Sequence, residues 1–209
     1  MFVKFCGFTR PLDVEAACSM GVSACGFIFY TGSKRFCNFT QAKECVAICK
    51  QYGVMSVGVF VDNSSNSIAS IASTLGLDAL QVYAEDCYVE LSPHYTIFLG
   101  IRVSNNFSMH EIPIIHNKDF YLFDTFDTSH YGGTGKQFNW AGVSSFSHLN
   151  RTIISGGVNS NNVQSLCATL KPFGIDVASG IEDAPGMKNV SKMEQLIETI
   201  KELGYDISR

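Results

Sequence analysis

Two side chains that could transfer protons, the thiol of Cys6 and the carboxyl of Asp124, each end a short apolar run typical of a buried strand. In the first run, a period of two places Lys4 and Cys6 on one face and the apolar residues on the other. If the apolar face packs against helices, Lys4 and Cys6 point inward, and the ammonium group should lower the pKa of the thiol. The alternatives are a structural cysteine and a carboxylate that caps the following loop.

A thiol and a carboxyl on different strands suit general acid–base catalysis, in which one group adds a proton while the other removes one. The sequence has no dinucleotide fingerprint, no Ser-His-Asp arrangement and no Cys/His cluster with zinc spacing. We therefore expect an isomerase that needs neither a metal nor a cofactor.

The stretch Thr152–Glu182 contains two apolar runs that stop abruptly at glycine. Glycine lets backbone N–H groups approach a ligand closely, and the start of a helix carries partial positive charge. Two such junctions on successive strands can hold one phosphate dianion without a lysine. The residues predicted to form this phosphate site are Gly156, Gly157, Ser179 and Gly180.

Three further features belong to the candidate site. Asp176, between two apolar residues, should face inward as a ligand contact or as a structural hydrogen-bond acceptor. Arg35 follows the second predicted strand together with Lys34, and it could hold a substrate carboxylate with two hydrogen bonds or remain a solvated loop charge. The cluster Gly132–Gly135 lacks the Lys-Ser/Thr pair of a phosphate loop, so we interpret it as a mobile lid.

Eight apolar runs alternate with mostly helical segments, at about one unit per 25 residues of the 209-residue chain. This alternation is compatible with a doubly wound sheet or a closed (β/α)8 barrel. Eight units with glycine junctions after the seventh and eighth favour an α/β TIM barrel, as a single domain over residues 1–209. The predicted strands are Val3–Cys6, Ala24–Phe29, Val54–Val61, Ala79–Val82, Tyr95–Val103, Phe120–Asp124, Ile153–Ile154 and Ile175–Val177.

Capping residues predict where several helices begin. Thr9 should cap a helix over Pro11–Met20, and Thr40 should cap one that ends at Tyr52. We also predict a weak helix over Asn106–Ile112 and a further helix over Asn139–Phe146.

Composition narrows the class of partner. A net charge of −4 without a basic run argues against nucleic-acid binding, and no run approaches the length of a membrane span. The eight cysteines are scattered, and the N-terminal residues do not resemble a secretory signal. We expect free thiols in a reducing cytoplasm and a phosphorylated small molecule as the ligand. The oligomeric state stays open between monomer and homodimer.

Several long motifs, in order along nearly the whole chain, resemble the phosphoribosylanthranilate isomerases of tryptophan biosynthesis, which are (β/α)8 barrels. The matching stretches are Lys4–Arg10, Gly26–Tyr30 with Ser33–Arg35, Asp124–Thr125 followed by Tyr131–Lys136 and Phe138–Trp140, Ser155–Asn159, and Gly174–Glu182 with Pro185–Lys188.

The resemblance implies a reaction and a role for each matched residue. The family performs the Amadori rearrangement of N-(5′-phosphoribosyl)anthranilate to an open-chain 1-deoxyribulose 5-phosphate, without a cofactor. By resemblance, Asp124 would be the general acid, Cys6 the general base and Arg35 the contact for the anthranilate carboxylate. The phosphate would lie on the backbone at Gly156, Gly157, Ser179 and Gly180.

One departure from the family pattern falls close to the site. The family commonly has VQLHG on strand four, whereas this chain has Tyr83 in place of the histidine. Two alternatives remain: an isomerase of a histidine-pathway aminoaldose, and a catalytically silent barrel that only binds a phosphorylated ligand. The first typically carries aspartates at the ends of strands one and five, whereas here strand one ends in Cys6, and loss of Cys6 or Asp124 would have favoured the second.

Overall fold

The computed structural model describes residues 1–104, 112–125, 139–146 and 148–207. Eight parallel strands pair in sequence order, and the last pairs with the first, so the predicted closed barrel is confirmed. The strands are β1 (Phe2–Cys6), β2 (Ala24–Ile28), β3 (Met55–Val59), β4 (Ala79–Val82), β5 (Thr96–Val103), β6 (Phe120–Thr125), β7 (Thr152–Ile154) and β8 (Gly174–Val177).

Six α-helices in the described part of the chain cover the barrel. They are α1 (Pro11–Ser19), α2 (Phe39–Tyr52), α3 (Ser65–Leu75), α4 (Glu85–Leu91), α5 (Val163–Leu170) and α6 (Val190–Glu202). Their buried faces and the outer faces of the strands form one large apolar layer. Strands covered in this way are apolar along most of their length, which is why they are recognisable in the sequence.

Both predicted N-caps are wrong. Asn38 caps α2 in place of Thr40, and the side chain of Thr9 makes a contact elsewhere. α2 begins one residue earlier than predicted: the Asn38 side chain accepts from the N–H of Gln41, and the Gln41 side chain accepts from the N–H of Asn38. This reciprocal capping box satisfies two backbone donors, which Thr40 cannot do from inside the first turn. The Thr9 hydroxyl instead donates to the carbonyl of Gly186.

The segments around β6 and β8 differ from expectation in other ways. The predicted helix over Asn139–Phe146 is a short 3-10 helix, Trp140–Val143, and a second 3-10 helix, Leu149–Arg151, precedes β7. After β8 come a 3-10 turn, Ser179–Ile181, and a small hairpin of β9 (Glu182–Ala184) and β10 (Met187–Lys188) that we did not predict. Residues 106–111 of the predicted weak helix and the Gly132–Gly135 cluster lie outside the described residues.

Aromatic rings fill the amino-terminal end of the barrel interior. Phe98 and Phe120 stack with ring centroids 5.1 Å apart, and Phe2 and Phe173 complete the cluster at 5.2 to 6.1 Å. The cluster closes this end without polar groups. The carboxyl ends of the strands, where parallel barrels carry their active sites, are thereby left as the polar end.

We expect Phe98→Ala to lower the free energy of unfolding by about 3–5 kcal/mol, because the stacked rings cannot collapse fully into the space it leaves. Phe98→Leu keeps most of the volume and should lose less. Urea denaturation of both variants measures the difference, and equal small losses would show that the ring cluster does not set barrel stability.

Candidate functional site

The side chains of Lys4 and Cys6 point into the barrel, as the alternation of β1 predicted. Cys6 pairs with Gly26 of β2, where a Cβ atom would lie 2.7 Å from the Cys6 Sγ and 3.1 Å from the Lys4 Nζ. Gly26 thus makes room for both groups. Its lack of a side chain is what permits a thiol and an ammonium group side by side at this level of the barrel.

Lys4 is fully buried and forms a polar chain across the interior. Its Nζ donates to Asp176 Oδ1 and to Gln81 Oε1, both at 2.9 Å. Burial alone would lower the pKa of Lys4, but the charges of Asp176 and Cys6 outweigh it and the pKa is raised. Asp176 therefore takes the structural role that the sequence left open, and its contact with a ligand stays a prediction.

The pKa of Cys6 is raised above its ordinary value of 9.0. Burial is the largest cause; the ammonium groups of Lys4 and Lys188 act in the opposite direction but do not compensate for it. The prediction of a lowered thiol pKa is therefore wrong, although the effect of Lys4 itself has the predicted sign. The thiol is predominantly protonated at neutral pH.

Asp124 is the penultimate residue of β6 and lies inside the barrel, and its pKa is raised to about 6. Burial is the main cause and the neighbouring carboxylate of Asp176 adds to it, while hydrogen bonds from the Thr125 N–H and the Ser155 side chain counteract both. The bond from Thr125, at 2.8 Å, is the loop-capping contact that the sequence offered as an alternative. The carboxyl can nevertheless hold a proton close to neutral pH, as a general acid must.

The two glycine junctions meet at the ends of β7 and β8. Gly156 and Gly157 have φ of +85° and +68°, a left-handed backbone that favours glycine. At Gly180, a Cβ atom would lie 2.1 Å from the carbonyl oxygen of Val158, so the second junction packs directly on the first. The structure thus brings together the backbone segments that the sequence predicted.

The four residues predicted to bind phosphate are here called the backbone cup, and neighbouring side chains fix its first turn. The side-chain amides of Asn159 and Asn162 donate to the carbonyl of Gly157 at 3.0 and 2.9 Å, which fixes the turn. Among the described residues, the cup N–H groups have no hydrogen-bond acceptor. These N–H groups belong to Gly156, Gly157, Ser179 and Gly180.

Arg35 is not a solvated loop charge. Its Nε donates to both carboxylate oxygens of Glu182 at 3.0 Å and its Nη2 donates to Oε2 at 2.7 Å. Its stem crosses Gly7 so closely that a Cβ there would lie 2.5 Å from the Arg35 Cδ. Neighbouring Lys34 is exposed. Arg35 is therefore fixed at the barrel mouth, and in the described structure only its Nη1 lacks an acceptor.

Glu182 and Lys188 were not predicted as functional residues, although both lie in motifs that the sequence singled out. Lys188 Nζ donates to Glu182 Oε1 at 2.7 Å and to the backbone carbonyl of Cys6 at 2.5 Å. Burial alone would raise the pKa of Glu182, but Arg35 and Lys188 hold it below its ordinary value. The β9–β10 hairpin thus ties the ends of β1 and β8 to Arg35.

Tyr83 extends the polar chain to the barrel mouth. Its hydroxyl oxygen accepts from Gln81 Nε2 at 2.9 Å, and its ring lies on Gly100, where a Cβ would be 2.5 Å away. The guanidinium carbon of Arg102 lies 5.0 Å from the ring centroid. Both side chains border a cavity of about 380 Å³, here called the β3–β5 cavity, lined by Val61, Tyr83, Ala84, Gly100, Ile101 and Arg102.

Three of the scattered cysteines come together in the apolar layer between α1, β2 and α2. The Sγ atoms of Cys18, Cys25 and Cys49 lie within 4.8 Å of one another, all buried. Burial raises the pKa of Cys25 well above its ordinary value, so its thiol stays protonated and hydrogen-bonds with Cys18 and Cys49. Buried thiols of this kind pack as small apolar side chains.

A closed parallel barrel with a buried thiol, a buried carboxyl and two glycine-rich junctions at the carboxyl end of its strands has the architecture of a (β/α)8-barrel enzyme. A sequence model described as N-(5′-phosphoribosyl)anthranilate (PRA) isomerase matches residues 3–199. The chain belongs to this family.

The proteins that are similar to this chain match it over almost its entire length. The N-(5′-phosphoribosyl)anthranilate isomerase of Thermoanaerobacter sp. (strain X514) is 33% identical, covering 95% of this chain and 97% of its own. The crystal structure of the Thermotoga maritima isomerase matches with a TM-score of 0.83 at 30% identity, covering 97% of this chain and 99% of its own.

A third match contains a ligand. It is an isomerase in complex with reduced 1-(o-carboxyphenylamino)-1-deoxyribulose 5-phosphate, with a TM-score of 0.80 and 28% identity, covering 97% of this chain and 99% of its own.

None of the helices in the described part of this chain has the length and apolar character that a membrane span requires.

We expect Lys4→Met to lower the free energy of unfolding by about 3–5 kcal/mol, because it leaves the buried Asp176 carboxylate without its partner. The double variant Lys4→Met/Asp176→Asn should recover much of the loss, since no unpaired charge remains. A double-mutant cycle by urea denaturation measures the coupling. Strictly additive losses would show that the pair is not coupled.

Proposed function

We propose that this chain catalyses the Amadori rearrangement of N-(5′-phosphoribosyl)anthranilate to 1-(2-carboxyphenylamino)-1-deoxyribulose 5-phosphate, with Asp124 as acid and Cys6 as base. The observation that carries the proposal is that a buried carboxyl, Asp124, shares the barrel interior with a buried thiol, Cys6; burial also raises the pKa of Asp124, to about 6. The Lys4–Asp176 pair acts electrostatically on both groups, so they belong to one site.

The first step opens the furanose ring. Protonated Asp124 gives its proton to the ring oxygen as the C1′–O bond breaks, and the lone pair of the anilino nitrogen forms the C1′=N bond of a cationic Schiff base. The carboxyl becomes a carboxylate. A carboxyl whose pKa is raised by burial suits this step, because it is protonated more often than an exposed carboxyl and its proton leaves readily once the ring oxygen takes up the electron pair.

The second step moves a proton from carbon. The Cys6 thiolate takes the C2′ proton, the electron pair forms a C1′=C2′ bond, and the nitrogen becomes neutral in an enolamine. Loss of the proton from the C2′ hydroxyl and protonation of C1′ then give the ketone. Substrate and product are isomers, so no oxidant, reductant or cofactor takes part.

Three groups would orient the substrate. The N–H groups of the backbone cup bind the phosphate, which supplies a fixed point from which the ribose extends between acid and base. Arg35 Nη1 contacts the anthranilate carboxylate while Glu182 holds the rest of the guanidinium in place. Asp176 acts on the substrate through Lys4 or directly. A cytoplasmic location and a monomeric or homodimeric state stay predictions.

We expect Cys6→Ala and Asp124→Asn each to lower kcat by at least roughly 10²-fold, because each removes one proton-transfer group. Loss of the fluorescence of the anthranilate substrate follows the reaction. Cys167→Ala, which removes a buried thiol on α5, is the matched control and should leave kcat unchanged. Full activity in either site variant would refute the assigned roles.

The pKa directions also predict an unusual pH dependence. Asp124 must be protonated, and that fraction falls as pH rises through about 6. Cys6 must be ionised, and that fraction rises until pH passes its raised pKa. Between these two values the product of the fractions is constant, so kcat/KM of the wild type should be flat from about pH 6.5 to 8.5. The active protonation state is a minority state throughout.

In the arrangement described above, the acid has a lower pKa than the base. The variant Asp124→Asn distinguishes it from the conventional arrangement, in which the acid has the higher pKa. With the titrating acid removed, the residual rate should follow the thiolate alone and rise about tenfold per pH unit between pH 6.5 and 8.5. A flat residual profile would mean that Cys6 is already ionised at pH 6.5, contrary to the raised thiol pKa. Steady-state kinetics of both proteins over this range provide the comparison.

A further inference from the structure

We propose that the hydroxyl group of Tyr83 donates a hydrogen bond to the C2′ oxygen of the substrate, the atom that becomes the ketone oxygen of the product. The inference rests on the proposed function and adds a third catalytic residue to Cys6 and Asp124. It concerns the position at which this chain departs from the family pattern. In the reaction proposed above, no group assists the loss of the C2′ hydroxyl proton, and Tyr83 would take that role.

The hydrogen bonds next to Tyr83 determine where its proton points. Lys4 Nζ can only donate, so the Gln81 side chain must present its oxygen, Oε1, to Lys4 at 2.9 Å. The amide nitrogen of Gln81 therefore faces Tyr83 and donates to its hydroxyl oxygen, also at 2.9 Å. Because that oxygen is the acceptor towards Gln81, the O–H bond of Tyr83 is directed away from Gln81.

The hydroxyl proton of Tyr83 has no acceptor within the described part of the chain. Lys4 and Gln81 are almost completely buried, whereas Tyr83 is half-buried and borders the β3–β5 cavity. Tyr83 is thus the member of this polar chain that a ligand can reach. Its oxygen already accepts from Gln81, so an oxygen atom of a ligand would complete its hydrogen bonding.

The hydroxyl group stays protonated at neutral pH. Burial raises the pKa of Tyr83 well above its ordinary value of 10.0, and the charges of Asp124, Cys6 and Asp176 raise it further. The same interactions show that the hydroxyl lies within electrostatic range of both proposed proton-transfer groups. Tyr83 is therefore a hydrogen-bond donor over the whole pH range in which the enzyme would work.

The C2′ oxygen is the substrate atom that best fits this donor. In the proposed reaction C2′ lies against the Cys6 thiol, which removes its proton. Lys4 and Cys6 lie side by side at Gly26, and Gln81 joins Lys4 to Tyr83. The polar chain thus brings the Tyr83 hydroxyl to the part of the site in which Cys6 acts on C2′.

A donor at the C2′ oxygen assists the last part of the reaction. As the C2′ hydroxyl loses its proton and C1′ gains one, negative charge builds up on the oxygen before the carbonyl forms, and a fixed O–H donor stabilises it. Tyr83 keeps its own proton, so the proton balance of the proposed reaction is unchanged. The hydrogen bond is stronger in this step than in the bound substrate, so its loss should act on kcat more than on KM.

Two substitutions at position 83 test the inference with N-(5′-phosphoribosyl)anthranilate as substrate. We expect Tyr83→Phe, which removes the donor and keeps the ring over Gly100, to lower kcat by about 10- to 100-fold and to change KM by less than about threefold. Replacing Tyr83 by 4-aminophenylalanine restores an N–H donor at the same place on the ring, and we expect it to recover at least about a third of the wild-type kcat.

Tyr52→Phe is the matched control. Tyr52 ends α2 shortly before β3, at the amino-terminal end of the barrel, and its substitution should leave both kcat and KM unchanged. Urea denaturation of Tyr83→Phe checks that this variant is folded. If Tyr83 served only to pack its ring on Gly100, Tyr83→Phe would keep that contact and would retain full kcat.

Full kcat in Tyr83→Phe, or a loss that appears in KM alone, would overturn the role of the hydroxyl group. So would a 4-aminophenylalanine variant that is as slow as Tyr83→Phe. Absence of wild-type turnover would instead refute the proposed function, so the two failures are distinguishable.

Discussion

A lysine ammonium group inside a barrel must be compensated there, and much of the site follows from how Lys4 is compensated. Asp176 supplies the opposite charge and Gln81 a neutral acceptor. The Asp176 carboxylate then raises the pKa of Asp124, while Lys4 restrains the rise at Cys6. Gln81 carries the same chain upward to Tyr83. One ion pair thus adjusts the proton affinity of both proposed catalytic groups, in addition to the larger effect of burial, and supports the wall of the β3–β5 cavity.

The features that the sequence predicts well are those fixed by local periodicity and backbone chemistry. Eight apolar runs led to the barrel, alternation on β1 oriented Lys4 and Cys6, and glycine positions located the backbone cup. Each depends on a short stretch of chain whose physical meaning hardly changes with its surroundings. Strand-end positions were sufficient to single out Asp124, since parallel barrels carry functional groups at those ends.

The features that the sequence did not predict depend on residues far apart in the chain. The partner of Arg35 is Glu182, across the closure of the barrel, and no local pattern reports that pairing. The direction of the Cys6 pKa depends on how completely the thiol is buried, a quantity that appears only once all strands are assembled. The prediction of Thr9 as an N-cap is wrong for a related reason, because its hydroxyl donates to the carbonyl of Gly186, which is distant in the sequence.

In the proposed function the backbone cup holds the phosphate with peptide dipoles, whose field decays quickly with distance. A dianion approaching a chain of net charge −4 is therefore not drawn in by the cup itself. Among the described side chains of the site, four are basic and three are acidic, so the basic groups are in excess whether or not Asp124 is protonated; they are Lys4, Arg35, Arg102 and Lys188 against Asp124, Asp176 and Glu182. A local excess of positive charge attracts anionic ligands over a longer range than peptide dipoles do, and it favours their capture against the net negative charge of the chain.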